Sequence, residues 1–544
     1  MKRVETDVVI IGGGVTGAGT FRDCLIRGIP AVLVEKNDLA SGTTGRNHGL
    51  LHSGARYAVK DSASAVECIG ENRILKKIAR HCIEDTGGLF VALDDDDPAY
   101  GDRLIVSCRS AGIACREIAH QEALRIEPNL NPRIVRAFTV PDATIDPFRL
   151  VSANVLDARE RGGQVYTHTR VNQIMTGPEG VTGVQCQNRL TGETFEIRAR
   201  VVVNASGVWG EKVCRAAGIE MKMFPSKGSL IIFDYRVNRV VVNACRMPAD
   251  ADIFVPGDTV SLIGTTSRKI AYEDIDIAEV DEEEIAVLLE GAERLVPNVS
   301  RTRLLRAYCG VRPLISLKKG EVDGRSISRG IVLVDHEMRD GLKGLISIAG
   351  GKLMTYRLMA EKTTDLICRK LDRTDTCTTS QLPLPGSETK GKLTTRRNQF
   401  KGISASVIGS TQYRHGERVH QILKSDRKHD GLICECEMVT AGEVEYALQH
   451  LNVEDIVDLR RRTRLGMGPC QGALCACRAT SFFVELKKMS GEKANQMLVD
   501  FIEERWKGIK PILWGDALRE AEFSYWIHQG LISKKKKLEK PDEV

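Results

Sequence analysis

Short uninterrupted apolar runs, separated by longer amphipathic stretches, dominate the first 385 residues. Val8-Val9-Ile10-Ile11, Ala31-Val32-Leu33-Val34, Val201-Val202-Val203 and Leu345-Ile346-Ser347-Ile348 are strand-length and carry no polar face. That is the pattern of strands covered on both sides in an α/β core. Around 229–234 and 253–264 apolar and polar positions alternate instead, which predicts an additional antiparallel sheet. Near 383–401 the chain turns to Pro, Gly, Ser, Thr and Lys. The pattern predicts an α/β region over 1–385 with two interleaved subdomains, a Rossmann-like one and one built on the antiparallel sheet. A linker at 386–429, a small module at 430–485, and a helical segment with a charged tail at 486–544 follow. No internal repeat is visible.

A length of 544 residues exceeds what one hydrophobic core usually organises. The net charge of +6 is small for that length and gives no reason to expect nucleic acid as a partner. No apolar run reaches the length of a membrane span, and Met1–Asp7 leads straight into a strand without room for a signal peptide. The expected location is the cytoplasm. Of 16 cysteines, five fall between Cys434 and Cys477, while the other eleven are scattered. The scattered ones read as small core residues; the cluster asks for a chemical explanation.

The run Val8–Ile11 leads into Gly12-Gly13-Gly14-Val15-Thr16-Gly17, a strand followed by G-x-G-x-x-G and a helix start. Gly12 permits a tight turn, Gly14 lets backbone approach a pyrophosphate, and Gly17 lets helix pack on strand. Phosphates are favoured at the helix N-terminus, where free N–H groups and the dipole point. Glu35, after the second strand, is placed to bind ribose hydroxyls. It disfavours NADP but does not separate NAD from FAD. The polar, glycine-rich segment 42–57 makes that separation, because such a loop can run along a cofactor and present small residues, Thr43 and Thr44 among them, to an isoalloxazine ring. Asn204-Ala205-Ser206-Gly207 resembles the strand-to-loop segment that touches FAD again in glutathione-reductase-type flavoproteins, and Gly351 is a further candidate cofactor contact.

His52-Ser53-Gly54-Ala55-Arg56-Tyr57, Ile263-Gly264-Thr265-Thr266, Tyr308–Leu314 and Gly350–Arg357 together resemble the FAD-dependent glycerol-3-phosphate dehydrogenases, of the D-amino-acid-oxidase-like superfamily. With its cysteine module, the whole chain is similar to the A-subunit branch of the anaerobic members. The resemblance implies oxidation of sn-glycerol 3-phosphate to dihydroxyacetone phosphate. It carries substrate contacts onto Arg56, Tyr57, Arg312, Arg329 and Lys352. Independently, a phosphate dianion calls for arginine forks; the alternative for Arg312 or Arg329 is pairing with a structural carboxylate. His52 is the candidate general base, with His48 its rival, and Lys352 is a candidate for stabilising the developing oxyanion. Aerobic relatives carry His after Lys-Gly-Ser, where this chain has Leu230, so that part of the pocket is expected to differ.

Cys434-Glu435-Cys436, then 33 residues, then Cys470 and Cys475 form two short thiolate pairs. Cys434, Cys436, Cys470 and Cys475 can hold a [2Fe–2S] cluster or a tetrahedral zinc. The spacing resembles the bacterioferritin-associated-ferredoxin-like [2Fe–2S] domain, and attachment to a flavoenzyme favours the cluster. Cys477 falls outside the spacing and reads as a core residue; Arg460–Arg464 reads as a solvated face, or as a dock for an acidic partner.

The resemblance further implies a second flavoprotein subunit, an iron–sulfur membrane-anchor subunit, a quinone acceptor, and attachment to the inner face of the cell membrane through a partner. Two alternatives remain open. One is a same-fold dehydrogenase or oxidase of an amine or 2-hydroxy acid, which needs one bidentate Arg rather than several cations. The other is a non-catalytic electron-transfer subunit.

Overall fold

The computed structural model describes residues 2–315, 330–388, 400, 402–423 and 431–532. The chain divides into two compact units. One comprises Met1–Arg303, Tyr308–Thr394 and Arg414–Arg418; the other comprises Leu304–Ala307, Thr395–Tyr413 and Val419–Val544.

In the first unit a six-stranded sheet runs in the order Gln164–Tyr166, Ala31–Val34, Val8–Ile11, Val201–Asn204, Leu345–Gly350, Ile331–Asp335. It is parallel except for the last strand. Both faces are covered, which explains its uninterrupted apolar runs. Val8, Ile10, Leu33 and Val203 belong to the core beneath the helices Val15–Ile26, Pro147–Glu160 and Tyr356–Lys370. Val9, Ile11, Val32 and Val202 face a second core with Ile174, Val184 and Ile197. Those three come from a four-stranded sheet that includes Thr169–Gly177, Gly180–Asn188 and Thr194–Arg198.

The alternating segments form part of a nine-stranded sheet. Met223–Phe233 pairs antiparallel with Val260–Gly264, Leu230 opposite Gly264, and Val260–Gly264 pairs with Ile253–Gly257. Leu304–Ile315 also pairs with Met223–Phe233. The helix Glu282–Leu295 packs against the sheet. Its N-cap, Asp281, accepts the Glu284 N–H, and three glutamates occupy its first turn, where the dipole favours them.

The second unit carries a small hairpin, Leu432–Cys434 with Val439–Thr440, and helices that include Ala441–His450, Ile456–Thr463, Cys475–Leu486, Gly491–Ile509 and Gly515–Ile532. Three expectations need correction. The stretch expected as a linker contains the helix Ala405–His415. Its Gly and Ser residues hide a short apolar periodicity. Cys477 is exposed, because Cys475–Leu486 buries Cys475, Ala476, Ala479 and Phe483 and turns position 477 outward. Arg460–Arg464 is not a solvated face. Arg462 is buried and donates to Leu451 O at the end of Ala441–His450, where a cation complements the helix dipole, and Arg464 donates to the buried Glu437. No described helix is long and apolar enough to cross a membrane.

Candidate active site

The glycine turn is held by backbone contact that tolerates no side chain. Gly12 has φ +119°, and a Cβ there would lie 2.5 Å from Ala205 O. A Cβ on Gly17 would meet Gly12 O at 1.9 Å, so helix and turn can touch only as glycine on glycine. Gly14 forms the N-cap of Val15–Ile26 and offers no side chain to cap it, so of the helix's first N–H groups only Val15 N meets a side chain, that of Thr44, among the described residues. Glu35 accepts Gly13 N at 2.6 Å and Asn37 N at 2.9 Å. Burial raises its pKa against the pull of those two amides. The Thr44 hydroxyl accepts Val15 N at 3.1 Å and Thr43 donates to Val311 O, so the 42–45 loop is tied to the helix start and to the strand bearing Arg312.

These groups open onto a cavity of about 1970 Å³ within the first unit. Single small ligands usually occupy about 300–1,000 Å³, so this volume accommodates a dinucleotide and a substrate together. Gly12, Gly14, Glu35, Thr43 and Thr44 line it, with Ala205 and Gly207 from the segment after Val201–Asn204 and Gly351 from the loop after Leu345–Gly350. His52, Arg56, Tyr57, Arg312 and Lys352 line the same cavity. Gly17 lies beneath the turn rather than in the wall. Arg329 falls outside the described residues.

Arg312 is anchored on neutral oxygens. One amino group reaches Thr265 Oγ1 at 2.6 Å and Thr266 O at 2.9 Å; the other reaches Lys227 O at 3.2 Å and Ser226 Oγ at 3.3 Å. Gly228 makes room, since a Cβ there would sit 2.5 Å from the guanidinium. Arg56 is divided: one amino group pairs with Asp252 at 3.0 Å, while the other is buried without a hydrogen-bond partner. Lys352 Nζ stands 4.6 Å from the Tyr57 ring centroid. Leu230 is fully buried against Gly264 and is not part of the cavity wall, so the position that carries His in the aerobic relatives presents nothing to it here.

His52 makes edge contacts with His48 at 5.8 Å and with Tyr57 at 5.4 Å. Burial, then the charges of Arg56 and Arg312, press the His48 pKa down to about 3, so His48 is neutral near pH 7. Its Nδ1 is buried without a partner. Two orphaned polar atoms in one wall, His48 Nδ1 and an Arg56 nitrogen, are costly unless a ligand completes them. The helix end, the glycine turn and these two atoms fit an anionic dinucleotide with a substrate beside it. Of the residues around Arg312, Ser226 was not singled out from the sequence, while Thr265 and Thr266 stood in the Ile263–Thr266 motif and Lys227 in Lys227-Gly228-Ser229, none of them with a role in holding Arg312.

In the second unit the four cysteines of the two short pairs are neighbours. Cys475 contacts both Cys434 and Cys470, and Cys470 contacts Cys436. The contact with Cys475 pulls the Cys470 thiol down to about 4, helped by the Leu474 and Gly472 amides, and pulls Cys434 to about 7 with amides of Gly466 and Glu437. The four neighbouring thiols and the amides directed at sulfur suit a [2Fe–2S] cluster.

The fold and the cavity define a flavin-dependent oxidoreductase that also carries an iron–sulfur module. Residues 7–357 match the family model for FAD dependent oxidoreductases, and residues 432–481 match that for the BFD-like [2Fe-2S] binding domain. The chain is 54% identical over 527 residues to the A-subunit of anaerobic glycerol-3-phosphate dehydrogenase from Escherichia coli (strain K12), covering 97% of each chain. It is 40% identical over 545 residues to the A1-subunit from Haloferax volcanii, covering 98% of this chain and 92% of the relative. Among solved structures, glycerol-3-phosphate dehydrogenase from Bacillus halodurans complexed with FAD superposes with a TM-score of 0.71 at 23% identity, over 94% of this chain and 97% of the other. The chain therefore belongs to the FAD-dependent oxidoreductase family and, within it, to the A-subunits of anaerobic glycerol-3-phosphate dehydrogenase.

Proposed function

We propose that the chain oxidises sn-glycerol 3-phosphate to dihydroxyacetone phosphate and sends the electrons through its own cysteine module towards a quinone. The observation that carries this reading is the convergence of Arg56, Arg312 and Lys352 on a cavity that also contains the dinucleotide turn. Several cations suit a phosphate dianion better than a single carboxylate, which one arginine fork satisfies.

When bound, FAD takes up the two electrons and the [2Fe–2S] cluster carries them singly. Gly12, Gly14, Glu35, Thr43, Thr44, Ala205, Gly207 and Gly351 hold the dinucleotide, and Cys434, Cys436, Cys470 and Cys475 hold the cluster. Arg312 and the free nitrogen of Arg56 bind the phosphate. Tyr57 packs beside Lys352, whose ammonium stabilises negative charge developing on the C2 oxygen. His52 accepts the C2 hydroxyl proton, and neutral His48 adds no positive charge to resist that transfer.

The relatives' designation as A-subunits supports assembly with further components. We assign these as a second flavoprotein and an iron–sulfur protein that anchors the complex to the inner face of the cell membrane.

The test is anaerobic mixing of the purified chain with sn-glycerol 3-phosphate. Bleaching of the flavin is expected. A flavin left oxidised by glycerol 3-phosphate yet bleached by an amino acid or a 2-hydroxy acid overturns the assignment.

A further inference from the structure

Behind Arg312 lies a carboxylate that the chemistry above does not use. Glu284 has no exposed surface. Its side chain accepts from Thr266 Oγ1 at 2.6 Å, from Ser229 Oγ at 2.8 Å and from Lys227 Nζ at 2.8 Å. Two of those three residues, Lys227 and Thr266, are the ones whose carbonyl oxygens hold the Arg312 guanidinium. The third, Ser229, binds Thr266 Oγ1 through its backbone N–H at 2.9 Å. One carboxylate thus ties together segments 226–229 and 265–266, which approach Arg312 from different strands.

The rest of the surroundings supports a clamp. Lys227 also donates to Asp281 Oδ2 at 3.1 Å and to Glu279 O at 2.8 Å, so its ammonium is fixed on three sides. Glu284 itself is anchored by its backbone N–H on the N-cap Asp281 of its helix. A buried carboxylate survives only when paired and hydrogen-bonded, and three of this one's contacts, from Lys227, Ser229 and Thr266, fall on the two segments beneath Arg312, while Asp281 of its own helix start lies against it as well.

We infer that Glu284 is the positioning residue of the substrate site: it fixes the direction of the Arg312 guanidinium by clamping Lys227, Ser229 and Thr266. The inference rests on the reading of the cavity as a glycerol 3-phosphate site. A phosphate beside a guanidinium whose amino groups are held by protein oxygens depends on where that guanidinium is fixed as well as on its charge. Loosening the carbonyls that hold the fork weakens substrate binding while the flavin site, built from other segments, is left alone.

The experiment is a double-mutant cycle on the full-length holoenzyme with Glu284→Gln and Arg312→Lys. The substrate Kd is taken from the concentration dependence of anaerobic flavin reduction. Glu284→Gln is expected to raise Kd roughly tenfold at unchanged FAD content and flavin spectrum. In the Arg312→Lys background, where no fork remains to be aimed, the same change is expected to raise Kd less than about twofold. Equal effects in both backgrounds overturn the inference, as does an unchanged Kd in Glu284→Gln alone. If Glu284→Gln does not fold, Ser229→Ala replaces it, removing a single contact to the carboxylate. A smaller rise in Kd confined to the Arg312 background supports the clamp; no rise overturns it. Wild type that is not reduced by glycerol 3-phosphate at all contradicts the functional reading itself, a separate result.

Discussion

Arg312 takes its hold from carbonyl and hydroxyl oxygens contributed by 226–227 and 265–266. Lysine at this position keeps the charge but has one nitrogen where arginine has a planar fork. Arg312→Lys is therefore expected to retain FAD and to lose about 1.5–3 kcal/mol of substrate interaction, roughly ten- to a hundredfold in kcat/KM; an unchanged kcat/KM removes Arg312 from the site. A second residue-scale consequence concerns pH. His81, bound to the Ser387 hydroxyl at 2.7 Å, is pressed down to a pKa of about 3 by burial and by the charges of Arg149, His415 and Arg418. The unfolded chain protonates this histidine near its ordinary value of about 6.5. Its stabilising contribution is thus complete above that pH and is lost as pH falls towards 3. His81→Asn is expected to lose Tm less steeply than wild type between about pH 6.5 and 4.5, and parallel Tm profiles rule the assignment out. Residue types were legible from the sequence here, but partners were not. The pairing of Arg56 with Asp252 joins positions 196 apart, and the hold of Glu284 on Ser229 joins positions 55 apart. Nothing local in the chain encodes either.

Elements were read more easily, because burial on both faces leaves a one-dimensional trace. Val8–Ile11, Ala31–Val34 and Val201–Asn204 are apolar at nearly every position since alternate side chains enter two different cores. The alternating segments became antiparallel strands although both of their faces are largely buried. The Arg460–Arg464 run misled, because its charge pattern matches a solvated face while two of its arginines are consumed by a helix end and by Glu437. The strand–turn–helix unit yields a prediction at this scale. A methyl group on Gly17 meets Gly12 O at 1.9 Å, and both atoms belong to rigid backbone. Gly17→Ala must push the helix away from the turn proposed to cradle the pyrophosphate. Protein eluting from gel filtration is expected to carry little FAD, read as the ratio of flavin to protein absorbance. Full flavin occupancy shows that the turn absorbs the displacement and that the close contact is not required.

At the scale of the whole molecule, every residue lining the cavity belongs to the first compact unit, whereas Cys434, Cys436, Cys470 and Cys475 belong to the second. On the proposed assignment, that division separates taking two electrons from substrate and passing them on one at a time. Cys470 is the informative position, because its sulfur contacts both Cys436 and Cys475 and receives the Gly472 and Leu474 amides. Serine there keeps the size but is a poor ligand for iron. Cys470→Ser is expected to abolish or distort the cluster signal and to slow steady-state transfer to an external acceptor. Single-turnover bleaching of FAD by glycerol 3-phosphate is expected to stay close to the wild-type rate. Cluster binding also supplies folding energy to small metal domains, so the comparison requires a soluble variant with full flavin occupancy. In such a variant, parallel loss of both rates shows that the two units do not act separately. Retention of both, in a protein whose wild type contains zinc, removes the electron-transfer role. Only a selective loss of onward transfer agrees with a substrate site in one unit and an electron exit in the other.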